Sequence, residues 1–251
     1  MIKKIADKKI GIVGYGFVGK ATHHGLLDEI DLLIHDIALG TKMTDLESVD
    51  VVFFCIPTDD DSDIENLKRE ILELKQINKS CQIIIRSTVP IGTCLAIEEL
   101  LEEKIVYIPE FLRERFWKQD CVRRPLIVGH NGIDCDNLLD GEHFLECSTT
   151  EAEIIKMFSN NFGVLKIAFA NLFYDISQTV GANYEVVNNL YFNIAHDQTY
   201  TNVPGPDGSR GFGGKCLPKD LDFLINTLDD LKLNSEIFKI IRKLNEQWLK
   251  Y

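Results

Sequence analysis

One cysteine near the end of the chain has the neighbours that nucleophilic chemistry requires. Cys216 follows the glycine-rich stretch Gly211-Phe212-Gly213-Gly214, so no bulky side chain needs to shield its thiol. Lys215 and Lys219 flank the sulfur, and Pro218 suits the first turn of a helix. Positive side chains and a helix N-terminus both favour a thiolate. The stretch predicts a reactive cysteine, and a buried structural cysteine beside a tight turn is the alternative.

Other polar residues have spacings that suit the binding of charge or water. Lys156 and Asn160 share one face of a predicted helix, where they could bind an oxyanion or a hydroxyl group. They could also be solvated surface residues. Asp220 comes one helical turn after the reactive thiol. Two further candidates follow predicted strands: Thr88, and the segment Pro109-Glu110-Phe111-Leu112-Arg113-Glu114, which could also be only a charged loop.

The elements that would position these residues begin with a dinucleotide-binding pattern. An apolar strand over 10–13 leads into Gly14-Tyr15-Gly16-Phe17-Val18-Gly19 and a helix to about Leu27. A second apolar strand, 32–35, ends at Asp36, about 20 residues further on, where an acid can take ribose hydroxyls. The pyrophosphate would lie on the helix N-terminus, and the acid would repel a 2′-phosphate. We therefore predict NAD rather than NADP, with a glycine-rich turn that binds nothing as the alternative.

Two domains follow from the order of the remaining elements. Apolar runs at 51–56, 82–86, 105–108 and 126–129, separated by helical stretches, predict a doubly wound parallel α/β sheet of the Rossmann type over residues 1–147. Residues 148–251 are predicted to be all-helical. Thr150 and Glu153 have the spacing of a capping box, and a long helix to about Val180 is interrupted only by Gly163. Further helices are predicted over 183–200, 221–231 and 236–249.

Composition excludes several classes of protein. The 251 residues carry a formal charge of −12, which argues against nucleic acid as a partner. The seven cysteines are scattered and include no C-x-x-C pair, so we expect neither a disulfide framework nor a metal site. The first nine residues contain no apolar run, and no stretch is long enough to span a membrane. We expect a cytoplasmic protein.

Six motifs in this order resemble the UDP-glucose/GDP-mannose dehydrogenase family. They are Gly14-Gly16-Gly19, Pro57-Thr58, Ser87-Thr88-Val89-Pro90-x-Gly92-Thr93, Pro109 to Glu114, Ala152-Glu153-x-x-Lys156-x-x-x-Asn160, and Gly211-Phe212-Gly213-Gly214-x-Cys216-x-Pro218-Lys219-Asp220. The resemblance covers nearly the whole chain. The most specific part of it is the combination of the Lys/Asn helix with the Gly-Gly-x-Cys loop.

The resemblance implies an NAD-dependent oxidation of the primary alcohol of a nucleotide sugar to a uronic acid, as in polysaccharide biosynthesis. Cys216 would capture the intermediate aldehyde. Lys156 and Asn160 would stabilise the oxyanion, while Asp220, Glu110 and Thr88 would hold or activate water. The cofactor would be lined by Gly14 to Gly19, Asp36, Pro57, Thr58, Thr88, Glu114 and Lys219. The sugar would be bordered by Phe111, Leu112, Arg113, Glu114, Lys156, Asn160, Arg210, Gly211, Phe212 and Gly213.

The same resemblance implies a partner, and it also has departures. Members of the family dimerise on the helix that corresponds to residues 150–180, so we expect a homodimer. They usually continue into a third domain that grips the nucleotide, and we expect this chain to be a short form without it. Arg115 and Gln198-Thr199 depart from the family pattern.

Two alternative functions stay open. One is a two-electron dehydrogenase of the 6-phosphogluconate or 3-hydroxyacid type, which Asn161 favours, and the other is a catalytically idle NAD-binding protein.

Overall fold

The computed structural model describes residues 8–27, 31–121, 125–135, 144–195, 202–205, 207–230, 232 and 234–250. The chain divides into two compact units, Met1–Lys156 and Met157–Tyr251. Four features of the sequence lie outside the described residues. They are residues 1–7 of the charged N-terminus, the part of the predicted helix 183–200 beyond residue 195, the departure Gln198-Thr199 within it, and Leu231, the predicted last residue of another helix.

The first unit is built on a seven-stranded sheet with the order β2-β1-β3-β4-β5-β6-β7. Strands β1 to β5 pair in parallel, and β1 lies between β2 and β3. The winding direction therefore reverses at β1 and β3, which confirms the predicted doubly wound sheet. The strands are β1 (Ile10–Val13), β2 (Leu32–His35), β3 (Val51–Phe54), β4 (Gln82–Ile85), β5 (Val106–Tyr107), β6 (Leu126–His130) and β7 (Phe144–Cys147).

Helices cover both faces of this sheet, because its central strands bury side chains on both sides. In β3, Val52 and Phe54 join one apolar cluster while Val51 and Phe53 join the other. This alternation explains why the strand is a continuous apolar run in the sequence. The helices described in this unit are α1 (Phe17–Leu26), α2 (Asp61–Ile77), α3 (Thr93–Leu101) and α4 (Trp117–Asp120), together with the beginning of α5 (Thr149–Val180).

The far edge of the sheet differs from the prediction. Strand β6 runs antiparallel to β5, and β7 is an additional strand that pairs with β6 in parallel. Residues 144–147 contain no continuous apolar run, and Leu145 is exposed. An edge strand of this kind is only partly buried, so it lacks the pattern that identified the central strands.

The first turn of α5 also differs from the prediction. The side chains that form a capping box there are Ser148 and Glu151: the Ser148 N–H donates to Glu151 Oε2 (2.7 Å) and the Glu151 N–H to Ser148 Oγ (3.2 Å). The predicted pair of Thr150 and Glu153 is wrong. The Glu153 carboxylate instead accepts the backbone N–H groups of Gly92 and Cys94, each at 2.7 Å, and so caps α3.

The second unit is helical, as predicted. It contains the rest of α5, α6 (Tyr184–Ala195), α7 (Cys216–Asp230) and α8 (Glu236–Trp248). Helix α5 continues through Gly163 without a break, because the packing of Val164 and Ala168 outweighs the roughly 1 kcal/mol that a glycine costs within a helix. Helix α7 begins at Cys216, five residues before the predicted start at Leu221. Among the described residues, no helix is long and apolar enough to cross a membrane.

Candidate active site

The three glycines after β1 have three different structural roles. Gly14 has a φ of +86°, and a Cβ there would lie 2.8 Å from the carbonyl oxygen of Cys55. A Cβ on Gly19 would overlap the carbonyl oxygen of Gly14, so α1 packs directly on the turn. A Cβ on Gly16 would meet nothing within 4 Å. The space at Gly16, beside the N-terminus of α1, therefore fits a phosphate group that approaches the backbone closely.

Asp36 lies beside this turn, at the end of β2. Its Oδ2 accepts the Tyr15 N–H at 2.6 Å, and its Oδ1 accepts the Ala38 N–H at 2.8 Å. The Tyr15 hydroxyl lies 2.6 Å from Nδ1 of His23 on α1. The carboxylate is only partly buried, so it remains accessible to the ribose hydroxyls of a dinucleotide. The predicted residues Phe17 and Val18 form the partly buried first turn of α1.

The ends of β3 and β4 bring two predicted cofactor residues together. Thr58 Oγ1 donates to the carbonyl oxygen of Thr88 at 2.6 Å, and both residues are buried. A second bond of this kind runs from Ser87 Oγ to the carbonyl oxygen of Ile56 (2.7 Å). Pro57, which comes directly before Thr58, is exposed. The two hydroxyls thus fix the loops at the carboxyl edge of the sheet, where ligands bind in this fold.

Glu110 and Lys156 form a buried ion pair in the first unit. The Lys156 ammonium lies 3.0 Å from Glu110 Oε1, and the two side chains are 3% and 4% exposed. The Leu112 N–H donates to the other carboxylate oxygen at 2.6 Å. The ammonium also lies 5.6 Å from the centre of the Phe111 ring. Two residues that the sequence placed in different motifs are therefore in direct contact.

The charge of Glu110 is maintained against its burial. Burial alone would raise the pKa of this carboxyl group, but Lys156, the Leu112 N–H and Arg86 together hold the pKa below its usual value. Arg86, which belongs to none of the six motifs, is 4% exposed and directly follows β4. Its Nε donates to Thr22 Oγ1 at 3.0 Å. The feature of the sequence that could have identified Arg86 was its position as a basic residue at the end of an apolar strand.

Arg113 and Glu114 complete the predicted segment after β5, and the short helix α4 holds Arg113 in place. The Arg113 guanidinium binds the buried Asp120 of α4 through two bonds of 2.9 and 2.8 Å, and the Arg113 N–H adds a third of 3.0 Å. The Arg113 guanidinium also lies over the Phe116 ring. Glu114 is exposed where a short 3-10 turn begins. No motif in the sequence predicted that Asp120 would fix this loop.

The second unit positions the thiol and its neighbours at the start of α7. Cys216 is the first residue of the helix and is partly exposed. Asp220 is fully buried and accepts a bond from the Asn160 side chain of α5. Asn161 donates to the Asp220 carbonyl oxygen at 3.3 Å, and the Lys219 ammonium lies 3.6 Å from Asp220 Oδ1. Two adjacent amides on α5 thus hold the first turn of the helix that carries the thiol.

The loop before Cys216 is fixed to both neighbouring helices. Arg210 binds Asp175 of α5 at 2.6 Å and lies over the ring of Tyr174. The Phe212 side chain is buried in the core of the unit, and Asn245 of α8 bonds both its N–H (2.7 Å) and its carbonyl oxygen (2.8 Å). Asn245 was missed because one asparagine in an amphipathic helix carries no motif.

The predicted substrate loop therefore offers chiefly its backbone to a ligand. A Cβ on Gly213 or Gly214 would meet nothing within 4 Å, so the backbone is open next to the thiol. At Gly211 the space is filled, because a Cβ there would overlap the Asn245 side chain. The guanidinium of Arg210 and the ring of Phe212 are engaged within the unit, as described above.

These features define a dinucleotide-binding protein of the Rossmann class with an attached helical unit. Residues 32–141 match the NAD binding domain of the UDP-glucose/GDP-mannose dehydrogenase family, and residues 150–247 match the central domain of the same family. The two matches together span most of the chain. The chain therefore belongs to the UDP-glucose/GDP-mannose dehydrogenase family, and the predictions of family, fold and NAD as the cofactor are confirmed.

Individual relatives are similar over most of this chain. The UDP-glucose 6-dehydrogenase of Rickettsia typhi is 33% identical over 226 residues, which are 80% of this chain and 50% of that protein. The UDP-N-acetyl-D-mannosamine dehydrogenase of Pyrococcus horikoshii is 27% identical, over 96% of this chain and 64% of that protein. The chain thus spans about half to two thirds of the length of these relatives.

A solved structure supports the fold. The UDP-glucose dehydrogenase of the archaeon Pyrobaculum islandicum superposes with a TM-score of 0.79 at 20% identity. The superposition covers 96% of this chain and 68% of that one. At this identity the similarity concerns the fold alone.

Proposed function

We propose that this protein oxidises the primary alcohol of a nucleotide sugar, UDP-glucose or a close relative, to the uronic acid in two hydride transfers. Membership of the family supports the reaction class. The observation that carries the proposal is the start of α7, where a partly exposed Cys216 precedes a buried Asp220 by one helical turn. A two-electron oxidation of an alcohol needs no nucleophilic thiol, because no aldehyde has to be captured.

NAD, when bound, supplies the acceptor for each hydride. The residues that would hold it are those whose geometry fits a dinucleotide: the open backbone at Gly16 for the pyrophosphate and Asp36 for the ribose. Pro57, Thr58 and Thr88 would line the nicotinamide half at the ends of β3 and β4. Glu114 and Lys219 complete the proposed set.

Cys216 would divide the oxidation into two stages. After the alcohol has lost a hydride and a proton, the Cys216 sulfur adds to the carbonyl carbon of the aldehyde, and the carbonyl oxygen takes up a proton to give a thiohemiacetal. Loss of a second hydride and a proton from that adduct leaves a thioester. Water then adds to the thioester carbon and breaks the carbon–sulfur bond, which releases the carboxylate and regenerates the thiol.

The polar side chains would bind water and the transient negative charge. Lys156 is a cation kept in a dry environment, and Asn160 is an amide donor one helical turn further along α5, so both suit an oxyanion. Glu110 and Asp220 are buried carboxylates with fixed partners, and we assign them to holding and deprotonating water, together with Thr88. Phe111 to Glu114 and the loop from Arg210 to Gly213 would border the sugar.

The test measures the NADH formed per molecule of sugar with UDP-glucose, UDP-N-acetyl sugars and GDP-mannose as substrates. We expect two NADH per sugar for one of them, and no uronic acid from Cys216→Ser. Cys147→Ser is the matched control, because Cys147 is a partly exposed thiol at the end of β7 and belongs to none of the proposed site residues, and it should keep full activity. Full uronic acid formation by Cys216→Ser would refute the thioester route.

The same measurement separates the alternatives. One NADH per turnover without a covalent adduct would identify a two-electron hydroxyacid dehydrogenase. Asn161, which gave that alternative support, bonds the Met157 and Asp220 carbonyl oxygens, so its amide N–H group is used within the unit. Binding of NAD in calorimetry without oxidation of any sugar would identify a catalytically idle protein.

A homodimer through α5 is part of the proposal. The helix exposes four phenylalanine rings in two contacting pairs, at 6.0 Å for the first pair and 4.7 Å for the second. Their exposed fractions range from 42% to 70%, for Phe158, Phe162, Phe169 and Phe173. Apolar rings in such a row are costly to leave in water. Sedimentation should give a dimer that Phe158→Ser and Phe169→Ser weaken, and a monomer at all concentrations would contradict the proposal.

A further inference from the structure

Three side chains with different donor atoms lie together where β6 and β7 meet. One ligand atom from each of His130, Cys135 and Glu146 lies within 4.8 Å of the other two. His130 is the last residue of β6, and Glu146 is paired with Val128, two residues before it. Glu146 and His130 are therefore diagonal neighbours on one face of the sheet. All three residues belong to the first unit.

The turn that follows β6 brings Cys135 back to this face. Gly132 has a φ of +98°, a conformation that reverses the chain easily only at glycine. Asn131 anchors the turn, because its amide donates to Glu98 Oε2 at 3.0 Å and to Thr149 Oγ1 at 2.8 Å. Cys135 is 1% exposed, so its sulfur is held within the structure. The cluster is thus built by a strand, an anchored turn and a second strand.

The hydrogen bonding of His130 leaves it available as a ligand. Its Nδ1 is buried and has no hydrogen-bond partner within the described part of the chain. Its Nε2 lies 3.7 Å from Glu146 Oε1, which is too long for a hydrogen bond. A buried imidazole nitrogen without a partner is costly unless something binds it.

A nitrogen, a sulfur and a carboxylate oxygen form a donor set typical of Zn²⁺. Ligands at about 2.0–2.3 Å from a tetrahedral ion lie roughly 3.3–3.8 Å apart. The present separations, which are no larger than 4.8 Å, exceed these by at most about 1.5 Å. The Glu146 side chain is 51% exposed, so rotation of its outer bonds can bring its oxygen closer to the other two ligand atoms without moving the strands. A water molecule would complete the four ligands.

We propose that His130, Cys135 and Glu146 bind one zinc ion, which joins β6, its turn and β7. Binding replaces the thiol proton of Cys135, so one proton is released when the sulfur coordinates the ion. The site is remote from the glycine turn. His130 is paired with Val106, the first residue of β5, and so lies at the edge of the sheet opposite the carboxyl ends of β1 to β5. The ion would therefore stabilise the sheet edge rather than take part in hydride transfer.

The experiment uses cobalt as a spectroscopic probe in the full chain with the background substitution Cys216→Ala, which removes one partly exposed thiol as a competing ligand. Co²⁺ should give a sulfur-to-cobalt charge-transfer band at one ion per chain, and Zn²⁺ should displace it. Cys135→Ser should abolish the band. Cys147→Ser is the matched control, since Cys147 is the next residue after Glu146 on β7, and it should keep the band.

Calorimetric titration with Zn²⁺ provides the second measurement. His130→Gln and Glu146→Gln should each weaken binding by more than about tenfold, the scale that even indirect supporting groups reach. These two variants also carry the test if Cys135→Ser fails to fold. The absence of a cobalt band at saturating metal, or a band that survives His130→Gln and Cys135→Ser, would overturn the proposal. Cys135 would then be a buried thiol beside a His–Glu pair that binds no metal.

Discussion

Replacement of Lys156 by Met should destabilise the first unit strongly, because it removes the partner of a buried carboxylate. Glu110 and Lys156 are almost completely withdrawn from water. In the variant, Glu110 would keep the Leu112 N–H bond and the more distant charge of Arg86. Loss of one member of a buried ion pair costs about 3–5 kcal/mol at neutral pH. For a chain of this size we expect the melting temperature to fall by roughly 6–20 °C.

The loss of stability caused by Lys156→Met should become smaller as the pH falls. In the wild type, folding lowers the pKa of Glu110. The ionised carboxylate therefore stabilises the fold at pH values above the usual pKa of glutamate, and this stabilisation is lost as the pH falls through the lowered pKa. Without Lys156, burial dominates and raises the pKa of Glu110 above the usual value. The variant then gains stability when Glu110 takes up a proton. The difference between the two proteins should narrow from pH 7 towards about pH 4.5.

Urea unfolding followed by circular dichroism at several pH values measures this difference. Lys68→Met is the matched control, because Lys68 pairs with Glu65 at 2.6 Å on the exposed face of α2. A surface pair of this kind contributes less than about 1 kcal/mol. If Lys156→Met costs no more than Lys68→Met, or if its cost does not change with pH, the reasoning on the buried pair is wrong.

Substitutions at three further positions test the glycine turn after β1 and the loop before Cys216. Gly16→Val, at the N-cap of α1, should lower the free energy of unfolding by no more than about 1 kcal/mol but weaken NAD binding more than tenfold in calorimetry, since the valine side chain would fill open space at the turn. Asp36→Asn should reduce the preference for NAD over NADP, measured as the ratio of the two dissociation constants, because the repulsive charge is lost. Asn245→Ala should cost about 2–4 kcal/mol in urea unfolding by removing both bonds to Phe212, whereas Asn245→Asp should retain part of that stability.

The sequence by itself was sufficient for the parallel core of the sheet in the first unit and for the position of the glycine turn after β1. Its central strands are buried on both faces, so they appear as apolar runs, and the glycine turn is a local motif whose residues are close in the chain. The prediction that Cys216 is reactive likewise rests on its immediate neighbours in the chain. The edge strand β7 escaped prediction because partial burial leaves no periodic pattern.

Only the tertiary structure decided which distant residues act together. The pairing of Glu110 with Lys156, the capping of α3 by Glu153, and the two bonds from Asn245 to Phe212 join residues that are tens of positions apart. Such contacts depend on how helices pack on the sheet or on each other, and one sequence does not encode them as a spacing. Local motifs therefore identified the candidate residues, whereas the buried partners that hold these residues in place were visible only after folding.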